Sequence, residues 1–185
     1  MAEKNIERDR VESFIEAIDH YHPKENGYQE LFPLFSRFIS RSIDARYIGQ
    51  HPIPDLLNTI FKILKATKQR SRDQIIVEIL TEPENPTQRG RLIVCMPTQP
   101  FITSTIRLAL EKHQLKSSRH ISTSIPIKRN SQNSMTRIGL SDSPKETVYW
   151  QDIECENLNV LKPQIIETIE GRLLAAQSAV ADFPK

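Results

Sequence analysis

The residues of this chain that could do chemistry are few, and none falls into a catalytic spacing. Five histidines and two cysteines carry no Ser-His-Asp or Cys-His context. Cys95 and Cys155 lie in apolar, strand-like runs without CxxC spacing, so buried free thiols are expected rather than a disulfide framework or a zinc site. His20 and His22 stand too far apart around a helix to share a metal, and no third ligand is near in sequence. Asp152, Glu154 and Glu156 alternate along one run and therefore share a face, which reads as a solvated strand face. Lys62, Lys65, Lys68, Arg70 and Arg72, with no acid between them, close a helix, where cations favour the C-terminus over a role as a phosphate patch. That leaves TQPFITSTIRLAL, Thr98 to Leu110, directly after RLIVCM, Arg91 to Met96. Here a strand-like run meets a proline-marked turn and then a helix. The first N–H groups of a helix point outward unpaired, so a carboxylate could sit at Thr98 to Thr103. Thr98 and Thr103 are also of the type that caps helices, and Phe101 is of the type that fills a core.

The elements that must position this turn follow from the hydrophobic period. Val11, Phe14, Ile15 and Ile18, then Leu31, Leu34, Phe35, Phe38 and Ile39, then Ile53, Leu56, Leu57, Ile60, Phe61 and Leu64 recur at helical spacing, which predicts three helices. HPKENG (His22 to Gly27) and GQHPIP (Gly49 to Pro54) mark the breaks. From Asp73 the period becomes that of a sheet. QIIVEIL (Gln74 to Leu80) and RLIVCM are β-branched runs joined by TEPENPTQRG, which predicts an antiparallel hairpin. A helix over about Phe101 to Leu115 carries Ile102, Ile106, Ala109, Leu110 and His113 on its apolar side. Strands at His120 to Lys128 and Glu146 to Glu154 flank a polar loop, Arg129 to Lys145. A last helix runs from about Leu161 to Phe183 with Pro163 in its first turn.

The expected fold class is α+β: a helical appendage over 1–72 and, over 73–185, a ferredoxin-like antiparallel sheet with two helices on one face. Its last strand is replaced by Gln74 to Leu80 at the sheet edge. Both strands of the hairpin are apolar on both faces, so the second face needs a cover, from the N-terminal helices or a partner subunit. His120 to Lys128 reads as an outer strand, blunted against pairing with another chain by Pro126, Lys128 and Arg129.

Composition excludes several classes. The 185 residues are 38% hydrophobic and 26% charged, as in a soluble globular chain rather than a disordered one. No apolar run approaches the ~20 residues that span a bilayer, and MAEKNIERDR lacks the apolar stretch of a signal peptide, so the chain is expected in the cytoplasm, with no membrane partner. The net charge of +2 divides into +2, +4 and −4 over 1–72, 73–137 and 138–185. That gradient is too shallow to imply nucleic acid. Tyr149 and Trp150 are consecutive, hence on opposite faces, which speaks against an RNA-stacking sheet.

Four motifs in order, QPFITSTIRLALEKHQL (Gln99 to Leu115), STSIPIKRN (Ser122 to Asn130), KETVYWQDIE (Lys145 to Glu154) and LLAAQSAVADFP (Leu173 to Pro184), together with LFSRF (Leu34 to Phe38) in the helical lead-in, cover roughly half the chain. This order resembles the N-terminal ACT-like region of the large bacterial NAD-specific glutamate dehydrogenases. The resemblance implies regulation or assembly and no catalytic residue or metal here: in that family the dinucleotide fold and the catalytic groups lie far downstream, and this chain has no GxGxxG and only five glycines. NAD would then belong to the parent enzyme, which oxidatively deaminates L-glutamate to 2-oxoglutarate, and the partners would be the rest of that polypeptide and its other subunits. ACT domains hold an amino acid at the first strand-to-helix turn, so the resemblance assigns an amino-acid effector to Thr98, Gln99, Phe101, Ile102 and Thr103. The usual loop has an acid before the proline and a glycine after it; this chain has Thr98 and Phe101. The alternative is a purely structural docking or oligomerisation module that binds no effector.

Overall fold

The change of period at Asp73 marks a change of structure. The computed structural model describes residues 8–81 and 88–182, together with the backbone of 2–7. These divide into two units, 1–69 with 125–144, and 70–124 with 145–185, rather than at a single cut near residue 72. Much of the TEPENPTQRG connection, and Phe183 and Pro184 of the last motif, lie outside the described residues.

In the first unit the helices are α1 (Ala2–His20), α2 (Leu31–Ser40), α3 (Ala45–Gln50) and α4 (Ile53–Lys68). The predicted stripes supply much of its core: Phe14, Ile18, Phe35, Ile39, Ile60 and Leu64 are fully buried, joined by Phe32 and Ile63, whereas Ile15 and Leu34 of those stripes are exposed. Rings of Tyr21, Phe32, Phe61 and Tyr28 meet at centroid distances of 4.5 to 6.2 Å, a packing that adds to simple burial. Three helices were expected and a fourth, α3, is present. It is held by Asp44, whose carboxylate accepts from the Tyr47 N–H at 2.6 Å.

The expected polar loop Arg129 to Lys145 is also corrected. It contains β5 (Met135–Ile138), antiparallel to the second half of β4 (Ile121–Arg129), with Ile127 opposite Ile138 and a register shift between Lys128 and Arg129. The Asn130 side chain accepts from the N–H groups of Gln132 and Ser134, each at 3.0 Å, and so closes the turn. Met135 and Ile138 are buried. Over Ile127 to Arg129, β4 is therefore flanked by β5 and is not the outer strand expected there. Arg129 donates to the carbonyls of Thr67 and Lys68 at 2.9 and 2.8 Å, satisfying the end of α4.

The second unit holds β1 (Ile76–Thr81), β2 (Arg89–Pro97), α5 (Ile102–Lys112), β3 (Lys116–Ser117), the first half of β4, β6 (Lys145–Glu154) and α6 (Leu158–Asp182). Its strands run in the order β1-β2-β6-β4, with β3 paired to one end of β6. The hairpin expectation holds: β1 is an edge strand antiparallel to β2, with Val77 opposite Val94. The architecture is α+β with an antiparallel sheet.

Both α5 and α6 pack on one face of this sheet. Ile102, Ile106, Ala109 and Leu110 of α5 and Leu158, Ile165, Ile169 and Leu173 of α6 join Val77, Ile79, Leu92, Val94, Met96, Tyr149 and Ile153 in one buried cluster. Ile93, Cys95, Val148 and Trp150, on the opposite side of their strands, are buried as well. The last helix begins at Leu158, earlier than expected, so Pro163 stands inside it rather than in its first turn. The missing N–H there forgoes one bond to the carbonyl of Asn159. No described helix is long and apolar enough to cross a membrane.

Candidate functional site

β2 ends at Pro97, and the chain turns through Thr98 to Phe101 into α5. The Thr98 N–H donates to the Lys145 carbonyl at 3.0 Å, which extends the β2–β6 ladder by one bond. Its hydroxyl lies 2.9 Å from Ser124 Oγ and 3.0 Å from Thr147 Oγ1. Thr98 is therefore not the helix cap its type suggested. It belongs to a trio of hydroxyls drawn from just past β2, from within β4 and from the start of β6.

The cap position is held by Phe101, in the left-handed region at φ 68°, and no side chain caps the helix. Phe101 is also not core, as its type suggested: it is 67% exposed. Two constraints force this. The turn must reverse direction within a few residues after Pro100, and the left-handed residue that does so projects its side chain outward. The Phe101 carbonyl is engaged, accepting from the Thr105 N–H at 2.9 Å and the Ser104 hydroxyl at 3.0 Å.

The turn opens on a cavity of about 460 Å3 lined in part by Gln99, Phe101, Ile102, Thr103, Arg107 and Thr147. Four of the five residues expected at the site thus meet at one cavity, and Thr98 stands beside it through its bond to Thr147. Gln99 Nε2 is a buried amide nitrogen with no hydrogen-bond partner. A buried donor without an acceptor is costly, and the residue that carries this one also lines the cavity. Arg107 adds a guanidinium to the wall, ion-paired to Glu111 at 3.1 Å one helical turn on. Arg107 and Thr147 were not expected as site residues. Arg107 follows Thr103 at i+4 and so shares its face of α5, a spacing that could have flagged it.

Several of the remaining candidates have structural partners. Arg89 and Arg91 of β2 stand opposite Glu154 and Asp152 in the β2–β6 register and pair with them at 2.9 and 2.6 Å. The acidic strand face is thus a set of cross-strand ion pairs. Within the basic cluster, Lys65 pairs with Glu25 at 2.6 Å, and Lys68 Nζ donates to the Gly27 carbonyl at 3.0 Å and lies 3.9 Å from the Tyr28 ring centroid. Arg70 departs furthest from expectation. It is no exposed helix-end cation: α4 stops at Lys68, and Arg70 is 3% exposed in a two-pronged ion pair with Glu146, Nη2 to Oε1 at 2.8 Å and Nε to Oε2 at 3.0 Å. The Cys95 thiol donates to the same carboxylate at 3.5 Å.

Cys95 is buried as expected; Cys155 is only partly so, and both are free. Burial, with the Glu156 charge beside it, pushes the Cys155 thiol up from its ordinary value. Burial likewise pushes the Tyr149 phenol up. No group of three or more His, Cys, Asp or Glu side chains among the described residues could hold a metal ion. No family model and no curated protein matches this chain.

Proposed function

We propose that this chain is a non-catalytic, regulatory or assembly region of a large NAD-dependent glutamate dehydrogenase, and that its strand-to-helix turn takes an amino-acid effector. The observation that carries the reading is the turn cavity, where the unpartnered Gln99 amide, the uncapped start of α5 and Arg107 all offer donors to one anion. The strand order β1-β2-β6-β4 with α5 and α6 on one face is the arrangement expected of a ferredoxin-like, ACT-like domain, which supports the same reading. NAD and the deamination of L-glutamate belong to other parts of the parent protein on this proposal, and its other subunits would be the partners.

Calorimetric titration of the chain with a panel of L-amino acids tests it. Saturable heat with at least one of them, abolished in Gln99→Ala, is expected. No heat with any would leave the purely structural docking module as the better account.

A further inference from the structure

A second cavity, of about 240 Å3, shares Thr103 and Arg107 with the turn cavity. Its floor is different in character. Leu110, Leu115 and Tyr149 line it and are 3%, 9% and 1% exposed. The His120 ring lies nearly parallel to Tyr149, with centroids 5.4 Å apart and 11° between planes, and forms one wall. The polar groups of the floor are engaged: the Tyr149 hydroxyl donates to Gln151 Oε1, and the Gln151 amide donates to the Ser118 carbonyl. On the helix side, Arg107 and Glu111 face the chamber as an exposed pair one turn apart.

We propose that this chamber reads the side chain of the effector and selects an apolar, branched or single-ring amino acid. The carboxylate lies between Gln99 and Arg107, the ammonium meets Glu111, and the side chain enters over Leu110, Leu115 and Tyr149 beside His120. The proposal rests on the amino-acid-sensing reading above.

Three features carry it. A cation and an anion one helical turn apart match the two charges of a zwitterion, whereas a simple carboxylate or amine would leave one of them unused. Because both side chains are mostly in water, at 67% and 56% exposure, their mutual pairing is weak and yields to a ligand at little cost. Leu110, Leu115 and Tyr149 give the floor a mainly apolar surface, over which a hydrocarbon side chain sheds water at a gain while a charged one gives up hydration. The chamber's volume of about 240 Å3 is ample for the side chain of leucine or phenylalanine.

The test is calorimetric titration of the whole chain with L-leucine, L-phenylalanine, L-aspartate and L-lysine, and with 4-methylpentanoate and 3-methylbutylamine, which are leucine without its amine and without its carboxylate. L-leucine or L-phenylalanine should bind at least about tenfold more tightly than the other four. Arg107→Gln should weaken that binding by roughly tenfold or more, and Glu111→Gln by several-fold, with native circular dichroism, since both side chains are solvated. A preference for L-aspartate or L-lysine, or L-leucine binding unchanged in Arg107→Gln, would overturn the chamber and leave amino-acid sensing standing. No heat from any amino acid would overturn both.

Discussion

Replacing Arg70 with Met should be among the most damaging single changes available in the second unit. The guanidinium meets both Glu146 oxygens through Nε and Nη2, while its Nη1 donates to the carbonyls of Ser71, Arg72 and Gln74 at 2.9, 2.9 and 2.8 Å. Both charged side chains are 3% exposed. Removing the cation leaves a buried carboxylate without its main counter-charge, a loss of about 3–5 kcal/mol. The three carbonyls lose a charged donor at the same time, so the upper part of that range is expected. With a urea dependence of about 1–3 kcal/mol per M, the unfolding midpoint should fall by roughly 2 M. Trp150, the single tryptophan, lies in β6 four positions beyond Glu146, so its emission reports this unit. Glu146→Gln, which keeps shape and leaves Arg70 its three carbonyls, should cost less than Arg70→Met. A midpoint shift under about 0.3 M in Arg70→Met, the equivalent of less than 1 kcal/mol, would refute the reasoning and mean that water reaches the pair.

Phe101→Gly should raise stability by up to about 1 kcal/mol, since it relieves a left-handed non-glycine residue at little packing loss and gives back part of the gain in chain entropy; a fall in the urea midpoint would contradict the strain. His113 Nε2 lies 2.9 Å from Thr168 Oγ1, between α5 and α6, and burial followed by the charges of Lys112 and Arg172 holds the imidazole below its ordinary 6.5. The unfolded chain then takes the proton first, so this contribution is present above about pH 6.5 and is lost as pH falls through the folded value. His113→Gln should flatten the acid side of the stability profile in urea melts from pH 7.5 to 5, and an unchanged slope would exclude the group. Native protein should react slowly with a thiol reagent at Cys155 and not at Cys95, and unfolded, unreduced protein should show two thiols. Cys95 stands opposite Val148 while Glu154 stands opposite Arg89, so the two sulfurs belong to opposite ends of the sheet. A titration of zero thiols in monomeric protein would contradict that register.

The parts of the fold that were legible are those whose cause is local. Gln74 to Leu80 and Arg91 to Met96 are continuous runs rich in β-branched residues with a turn-forming connection between them, and the long stripes of α2 and α4 repeat for several turns. α3 is six residues long, too short to show a period, and its signal is the single capping Asp44. β5 has two buried residues, Met135 and Ile138, spaced by three rather than by two, so no alternation marks it. Arg70 looks like any helix-end cation because the group that buries it, Glu146, is 76 positions away. The same limit applies at the site. Gln99, Phe101, Ile102 and Thr103 are contiguous with the turn and were anticipated, whereas Thr147 arrives from another strand and could not be. Phe101 shows that residue type and backbone conformation can disagree, and the left-handed turn decides its exposure.

The division of β4 has a temporal side. The first unit needs residues 1–69 and also 125–144, so its four helices are synthesised well before the strand and hairpin that complete it. At roughly 5–20 residues per second, the 75 residues from Gln69 to Pro144 take on the order of 4–15 s to add, during which the second unit's first strands and α5 also emerge without β6. Neither unit can close as a block behind the ribosome: the first waits for residue 144, and the second for β6 and α6. Separating residues 1–72 from 73–185 would therefore not release an appendage from a domain; it would take from the first unit its only strands among the described residues.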